Sequence, residues 1–363
     1  MRAVDFFSGA GGVTCGFLQA EIDVLAGIDN EMSCKDTYVT NNHRRDQQEI
    51  SFICEDISTY QPQDLEVELN LQPNDDEMIF VGCSPCQYYT NMKTTKEKSR
   101  ESRTLLEEFR RFVDYFRPGY IFIENVPGLQ SNPESPLGQF KLFLENNGYL
   151  FDERVVNAKY FGVPQNRRRY ILIASRLATQ DHPIHIPEPD KINIKTVRDA
   201  IGNIDIFPPV EAGNIDNSNF QHSTARISQI NLNRLANTPL DGGDRRAWAN
   251  NEELQLPCYI NHDGHTDVYG RMAWSRPSPT ITTKFCSISN GRYGHPEQLR
   301  AISLREGATL QSFPLNYIFY SNGQGSIAKM IGNAVPPLLA RSIGETINAH
   351  YNRWQNLRPA QGL

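Results

Sequence analysis

The sequence predicts an α/β protein, with a mostly parallel sheet covered on both faces and a second, smaller and irregular domain. Three observations carry this reading. First, apolar runs of strand length recur at residues 3–7, 24–28, 78–81, 120–123 and 170–174, with helix-like stretches between them; alternation of this kind buries a parallel sheet between helices. Second, residues 102–116 place Leu105, Leu106, Phe109, Phe112, Val113 and Phe116 at helical spacing, so one face of that helix is apolar. Third, the texture changes from about residue 176 to 275, where HPIHIPEPDK, FPP and NIDNSNF are loop-rich and without a strong period. After Ser326 a helical pattern returns, with Leu338, Leu339, Ile343 and Ile347 on one face behind Pro336 and Pro337, prolines that can open a helix. A chain of 363 residues accommodates two domains with a real core. The expected division is a large domain at 1–185, a small one at 186–320 and a segment at 321–363 that returns to the first.

Composition excludes several classes. Hydrophobic residues make up 39% and charged residues 21%, which is neither collagenous, coiled-coil nor largely disordered. No run approaches the ~18 apolar residues of a membrane span, and MRAVDFFSGAGG, with Asp5 and its glycines, lacks the apolar core of a signal peptide. The expectation is a cytoplasmic protein without membrane contact. Seven cysteines, an odd number, argue for reduced thiols rather than a disulfide framework. The net charge of -6 is unevenly spread: residues 1–80 hold 4 Lys/Arg against 16 Asp/Glu, and residues 276–363 hold 9 against 3. Such a chain can grip phosphates with part of its surface, but a chain that binds no nucleic acid can look the same.

The chemistry-bearing residues lie just beyond the predicted strands. DFFSGAGGVTCG (5–16) reads as a strand running into a glycine loop and then a helix. Glycines let the backbone approach a ligand, and a helix N-terminus favours an anion or carboxylate. Asp29 ends the second predicted strand, where an acid can accept hydrogen bonds from ribose hydroxyls. The NAD fingerprint fails, because Gly9 and Gly11 are followed by Thr14 where the third glycine belongs; a nucleoside cofactor without a pyrophosphate fits better. The plain alternative is a tight turn that packs helix on strand.

VGCSPCQ (81–87) comes after the third apolar run. A CxxC there fits a dithiol redox centre or half a zinc site, although no second CxxC occurs and the histidines are scattered. It equally fits a single nucleophile, Cys86, held by the stiff Pro85 at the carboxyl edge of a parallel sheet. IFIENVPG (121–128) puts Glu124 at the end of a buried strand, where a carboxyl among apolar neighbours can serve as an acid or merely cap a helix or pair with a cation. In QNRRRYILIAS (165–175), Arg167 and Arg169 alternate at the start of a strand and so would point to one side. Paired guanidinium groups suit a phosphate or a carbonyl oxygen; the alternative is a solvated basic edge.

Taken together and in this order, the segments resemble the DNA cytosine C5 methyltransferase family of bacterial restriction-modification type, over nearly the whole chain. DFFSGAGG is similar to the motif that cradles S-adenosylmethionine, GCSPCQ to the nucleophile motif, ENV (124–126) to the acid motif and QNRRR to QxRxR, while RPSPTITT (276–283) and GNAVPP (332–337) resemble the last two motifs. The resemblance implies a Rossmann-like catalytic domain, an irregular target-recognition domain, S-adenosylmethionine as cofactor, S-adenosylhomocysteine as product, and no metal. It implies Cys86, Glu124, Asn125, Gln165, Arg167 and Arg169 as the catalytic group. As cofactor-binding residues it implies Asp5, Phe7, Ser8, Gly9, Gly11, Gly12, Asp29, Asn30, Asp56, Ile57, Pro85, Leu105, Asn333 and Ala334. Asn30 departs from the family, which often has a large aromatic or hydrophobic residue there to stack on adenine, and leaves Phe7 as the candidate ring.

The mechanism implied by the resemblance is attack of Cys86 on C6 of a flipped-out cytosine, with Glu124 at N3, Asn125 supporting the loop, Arg169 at O2, and Arg167 at a phosphate or at the Glu124 carboxylate. The polar stretch 88–104, which includes Lys93, Lys96 and Lys98, is expected to close over DNA as a lid. Arg245, Arg246 and Arg271 are read as basic spots of the recognition domain. His262 and His265 have metal-like spacing without a supporting acid or cysteine cluster, which favours a structural or DNA-contacting role. The implied partner is double-stranded DNA, read by a monomer at the bacterial nucleoid; in such systems a cognate restriction endonuclease acts on the same site. Two alternatives are an RNA (tRNA) methyltransferase, whose CFT tripeptide is absent between 180 and 320, and a non-catalytic relative, which would lack Cys86 or Glu124.

Overall fold

The computed structural model describes residues 1–46, 48–85, 96–259 and 266–357, with the backbone alone at 96–103 and 259. In chain order the elements of the first part are β1 (Arg2–Phe6), α1 (Gly12–Gln19), β2 (Asp23–Ile28), α2 (Lys35–Asn41), β3 (Ser51–Ile53), α3 (Pro62–Leu69), β4 (Met78–Gly82), α4 (Lys96–Phe116), β5 (Tyr120–Asn125), α5 (Gly128–Ser131), α6 (Leu137–Asn146), β6 (Leu150–Asn157) and β7 (Arg168–Ser175). They are followed by α7 (Val197–Ile201), α8 (Gln229–Ala236), α9 (Leu304–Leu310), α10 (Gln324–Asn333) and α11 (Pro337–Leu357). Two compact units result. The first is Met1–Asn157, Arg168–Pro189 and Val335–Leu363; the second is Ala158–Arg167 and Asp190–Ala334. The chain thus leaves the first unit after 189 and re-enters it at 335, where the sequence places these points after 185 and 320, and residues 158–167 group with the second unit.

The first unit is a seven-stranded sheet in the order β3-β2-β1-β4-β5-β7-β6. β1 to β5 pair in parallel, and β7 runs antiparallel to both β5 and β6. Strands β1, β4 and β5 are buried on both faces, which is why they read as continuous apolar runs. The helical stripe on α4 buries Leu106, Phe109, Phe112, Val113 and Phe116. Phe109 and Phe112 meet Phe6 at ring-centroid distances of 5.2 and 5.1 Å, edge to face, and each such side chain contributes roughly 1.5–3 kcal/mol by burial. α1 lies on α11: a Cβ on Gly16 would stand 2.3 Å from the Pro337 carbonyl oxygen, so only glycine lets the two backbones approach this closely.

The second unit has no named strand among its described residues. Its small apolar cluster is Leu235, Trp248, Leu254, Tyr269, Ile288 and Ala301. Much of its backbone is tied instead by buried arginines. Arg271 donates to the carbonyls of Thr238 (3.1 Å), Leu235 (2.9 Å), His295 (2.8 Å) and Gln298 (2.7 Å). Arg300 forms a two-armed ion pair with Glu306 at 2.7 and 2.8 Å, and Arg305 holds the carbonyls of Phe220 and Tyr317. Guanidinium, with five donors in a plane, satisfies several carbonyls at once where regular structure does not. This corrects the reading of Arg271 as a basic surface spot: it is fully buried, as Arg245 nearly is, and the exposed Arg246 is paired with Asp244 at 2.6 Å.

Candidate active site

The carboxyl ends of β1, β2, β4 and β5 carry most of the residues singled out by the sequence. After β1 the backbone turns through left-handed φ values at Phe7 (61°), Gly9 (50°) and Gly11 (83°). Gly9 faces open space, with nothing within 4 Å of where a Cβ would stand. Its N–H donates to Asp29 Oδ2 at 2.8 Å, while Asp29 Oδ1 accepts the Glu31 N–H at 2.8 Å, so the acid after β2 is pinned beside the loop. The Ser8 hydroxyl is buried and has no hydrogen-bond partner. Gly12 opens α1, and the exposed Asn30 adds its side chain to the donors around Asp56. Asp56 also accepts the Ser58 N–H and hydroxyl, and these bonds hold its carboxyl below the usual range. Ile57 is buried, and Phe7 and Leu105 are partly buried against the same core.

Asp5 does not face outward. It is 1% exposed, and its Oδ2 accepts the Thr14 hydroxyl at 2.8 Å; Thr14 is in turn 2.9 Å from the Tyr38 hydroxyl on α2. Oδ1 is buried without a hydrogen-bond partner. Burial pushes the Asp5 carboxyl up to about 7, against the Thr14 bond that draws it down. Its geometry is that of a brace beneath the glycine loop, rather than of the cofactor contact expected for it.

The second cluster lies at β4 and β5. Glu124, 5% exposed, stands with Oε1 2.9 Å from Arg169 Nε. That is ion-pair distance, but the N–H is not aimed at the oxygen, and Oε1 lacks a hydrogen-bond donor. Arg169 also donates from Nη1 to the Arg168 carbonyl at 2.7 Å. Asn125 donates its amide to the Ser84 carbonyl (3.2 Å) and lies 3.3 Å from the Ser84 hydroxyl, while its Oδ1 accepts the Val126 N–H at 2.9 Å. It thereby ties the β5 edge to the segment after β4. That segment is described as far as the exposed Pro85. Cys86 lies outside the described residues, as do His262, His265 and residues 88–95 of the expected lid with Lys93; Lys96 and Lys98 fall on α4. Cys83 is half-buried.

Gln165 and Arg167 are differently placed. Arg167 precedes β7 and groups with the second unit, so the strand alternation expected to align it with Arg169 does not apply. The partner of Glu124 is Arg169 and not Arg167. Arg167, 2% exposed, donates instead to the carbonyls of Ile281 (3.1 Å) and Ala334 (3.1 Å). Gln165 is fully buried, with its amide bonded to Leu310 and Gln311 and its Oε1 to the Ile281 N–H. Both have the geometry of internal braces rather than of groups that touch a substrate. At the end of α10 Asn333 is exposed and Ala334 partly so. Sequence reasoning missed Ser84, Thr14 and Gln311; small or polar residues of these types carry no signal until the fold supplies their partners.

An open sheet of this order, with a glycine loop after its first strand and an acid after its second, defines a Rossmann-like domain for a nucleoside cofactor. Comparison with known proteins goes further. The model of the C-5 cytosine-specific DNA methylase family matches residues 1–349. Type II methylase M.HgiDII of Herpetosiphon aurantiacus is 38% identical over 356 residues, spanning 95% of this chain and 94% of that protein. Type II methyltransferase M1.HphI of Haemophilus parahaemolyticus is 31% identical over 354 residues, 95% of this chain and 86% of that one. Among solved structures, one described as a DNA modification methyltransferase encoded within an E. coli prophage superposes with a TM-score of 0.73 at 21% identity, covering 97% of this chain and 99% of that chain. The chain belongs to the C-5 cytosine-specific DNA methylase family and is a DNA cytosine C5 methyltransferase.

Membership implies S-adenosylmethionine as the methyl donor, and the first unit's residues fit it. The cradle offers an open glycine at Gly9, an unpartnered buried hydroxyl at Ser8 and a pinned carboxylate at Asp29. Among the described residues no cluster of three His, Cys, Asp or Glu is arranged to hold a metal ion, and no helix is long and apolar enough to cross a membrane.

Proposed function

We propose that the enzyme methylates C5 of a cytosine flipped out of a specific double-stranded DNA sequence, through a covalent bond between Cys86 and C6. The observation that carries this is the buried Glu124–Arg169 pair, in which Glu124 Oε1 has no aligned donor. Beside it, Asn125 holds Ser84, two residues ahead of Cys86. The role of Cys86 rests on the GCSPCQ segment.

Cytosine C5 is a weak nucleophile. Addition of the Cys86 thiolate to C6 consumes the C5–C6 π bond and leaves an enamine whose electron density lies on C5. Glu124, protonated or hydrogen-bonded at N3, stabilises the charge that develops on the ring, and Arg169 binds O2. S-adenosylmethionine, when bound, supplies an electrophilic methyl group. Loss of the C5 proton returns its electron pair to the ring, and the Cys86 thiolate leaves. C5 and C6 are unreachable inside a stacked duplex, so the base must leave it. Ser8, Gly9, Gly11 and Gly12 are proposed to cradle the cofactor, with Asp29 on its ribose, Asp56 and Ile57 on its adenine, and Asn333 and Ala334 among its further contacts. Residues 190–334 would read the target. The Type II names of the two relatives support a restriction-modification setting with a cognate endonuclease, and the reading includes a cytoplasmic monomer at the nucleoid.

DNA carrying 5-fluorocytosine tests the mechanism, because fluorine cannot leave as a proton and the adduct stalls. Wild-type protein and Cys83→Ser should be trapped on such DNA, and Cys86→Ser should not. A peptide adduct mapped to Cys83 by mass spectrometry, or no adduct with the wild type on its correct target, would overturn the proposal.

A further inference from the structure

We infer that Arg111 is a positioning residue for the adenine side of the cofactor: from α4 it grips the backbone of the loop after β3 and so fixes where Asp56 and Ile57 stand. All of these residues belong to the first unit. Arg111 Nη2 donates to the carbonyls of Ile57 (2.9 Å) and Tyr60 (3.0 Å), and Nη1 to Gln61 Oε1 (3.3 Å). Glu108, one turn earlier on α4, stands with Oε2 2.9 Å from Arg111 Nε and steadies the guanidinium over the loop. The Tyr60 ring stacks on Phe112 with centroids 6.1 Å apart, so one stretch of α4 holds the loop by its backbone and by its ring.

The reason for such a grip lies in β3. It is an edge strand of three residues with β2 as its one neighbour, so the sheet fixes the chain no further than Ile53, whose carbonyl accepts the Asp29 N–H at 3.1 Å. Beyond it the chain turns, and the Asp56 carbonyl accepts the N–H groups of Thr59 (3.0 Å) and Tyr60 (2.9 Å). Arg111 supplies donors to two further carbonyls of that turn, a task for which the planar guanidinium is suited. Ile57 is thereby held in its buried place, while Asp56 beside it is exposed. The same loop adjoins the cofactor cradle directly. Asn30 adds its side chain to the donors around Asp56, and its neighbour Asp29 accepts the Gly9 N–H at 2.8 Å. Contacts thus run without a break from Arg111 through the loop to Asp29 and the glycine turn, along the carboxyl ends of β3, β2 and β1.

The inference rests on the proposed placement of Asp56 and Ile57 on adenine, so the experiment includes Asp56→Ala as its gauge. Its probes differ at the base alone: S-adenosylhomocysteine, and S-inosylhomocysteine, which has an oxo group in place of the 6-amino group. A carboxylate accepts from the amino group and opposes the oxo oxygen, so the wild type should prefer the adenosyl ligand. Calorimetry on intact enzyme, with folding checked by thermal melting, measures both affinities. Arg111→Met keeps the apolar stem and loses the donors. It is expected to raise the dissociation constant of S-adenosylhomocysteine about tenfold, the scale of one lost hydrogen bond, and that of S-inosylhomocysteine less than about twofold. A general loosening of the fold would weaken both ligands alike. KM for S-adenosylmethionine should rise while KM for DNA and kcat at saturating cofactor stay. A wild-type preference kept in Arg111→Met and lost in Asp56→Ala would overturn the role of Arg111 alone. A wild type without the preference, or Asp56→Ala retaining it, would take Asp56 off the base and overturn both readings. Should Arg111→Met not fold, Arg111→Gln, whose arm is shorter, is put to the same measurement with the same expected outcome.

Discussion

Two buried carboxyl groups, Asp5 in the first unit and Glu306 in the second, experience similar burial and opposite outcomes. Glu306 is held by both arms of Arg300, faces His295 at 3.7 Å and closes a capping box with Ser303; its carboxyl is drawn down to about 2, even though burial, the largest influence on it, acts upward. Asp5 has one hydroxyl donor and no cation, and burial carries it up to about 7. The second unit is scaffolded by such internally paired groups, although Ser278 Oγ is buried in it without a hydrogen-bond partner. The first unit keeps several incomplete ones, and three of them, Asp5 Oδ1, Ser8 Oγ and Glu124 Oε1, lie at or beneath the carboxyl edge of its sheet. Unmatched polarity is tolerated where function uses it.

The comparison can be broken most forcefully at Arg300. Arg300→Met should destabilise the protein by about 3–5 kcal/mol, because it leaves the Glu306 charge buried and unpaired. Urea denaturation measures this, and a loss under about 1 kcal/mol would mean that the pair scaffolds nothing. At Asp5 the sign is opposite to the usual acid. Its folded value is raised, so its contribution to stability is complete below about pH 4 and fades as the pH climbs through about 7. Asp5→Asn, still able to accept from Thr14, should flatten that decline by on the order of 2–4 kcal/mol between the two ends; an unaltered pH profile of melting would place the proton elsewhere. The smallest effect sharpens the functional side. Asp29→Ala should weaken S-adenosylmethionine binding by about 1–3 kcal/mol through lost ribose hydrogen bonds, and calorimetry that finds full affinity would detach Asp29 from the cofactor.

Legibility in the sequence divides along the same line. Strands β1, β2, β4, β5 and β7 declare themselves because burial makes them continuous apolar runs. The edge strands β3 and β6 do not: β3 has three residues, and β6 carries Asp152, Glu153 and Arg154 at its centre, Glu153 paired with Lys141, and Arg154 with Asp152 and Glu188. The glycine loop, Asp29, Glu124 and Asn125 are readable because each ends a strand, and strand ends of one parallel sheet meet at one edge. Gln165, Arg167 and Arg271 mislead, since a polar side chain in an irregular region looks solvent-facing until distant carbonyls turn out to surround it. Gln311 is silent for the same reason, its partner Gln165 lying far earlier in the chain.

The packing of α1 on α11 has a consequence for synthesis. The face of α1 that carries Gly16 emerges from the ribosome early, and the Pro337 turn that covers it emerges only after the entire second unit has been made. At about 5–20 residues per second that face waits roughly 20–60 seconds for its partner. A nascent chain halted before Pro337 has the glycine loop and α1 but not the helix that packs behind them. A cell making this enzyme beside a nuclease of matching specificity would meet that delay as an interval in which the protein exists and its protection does not.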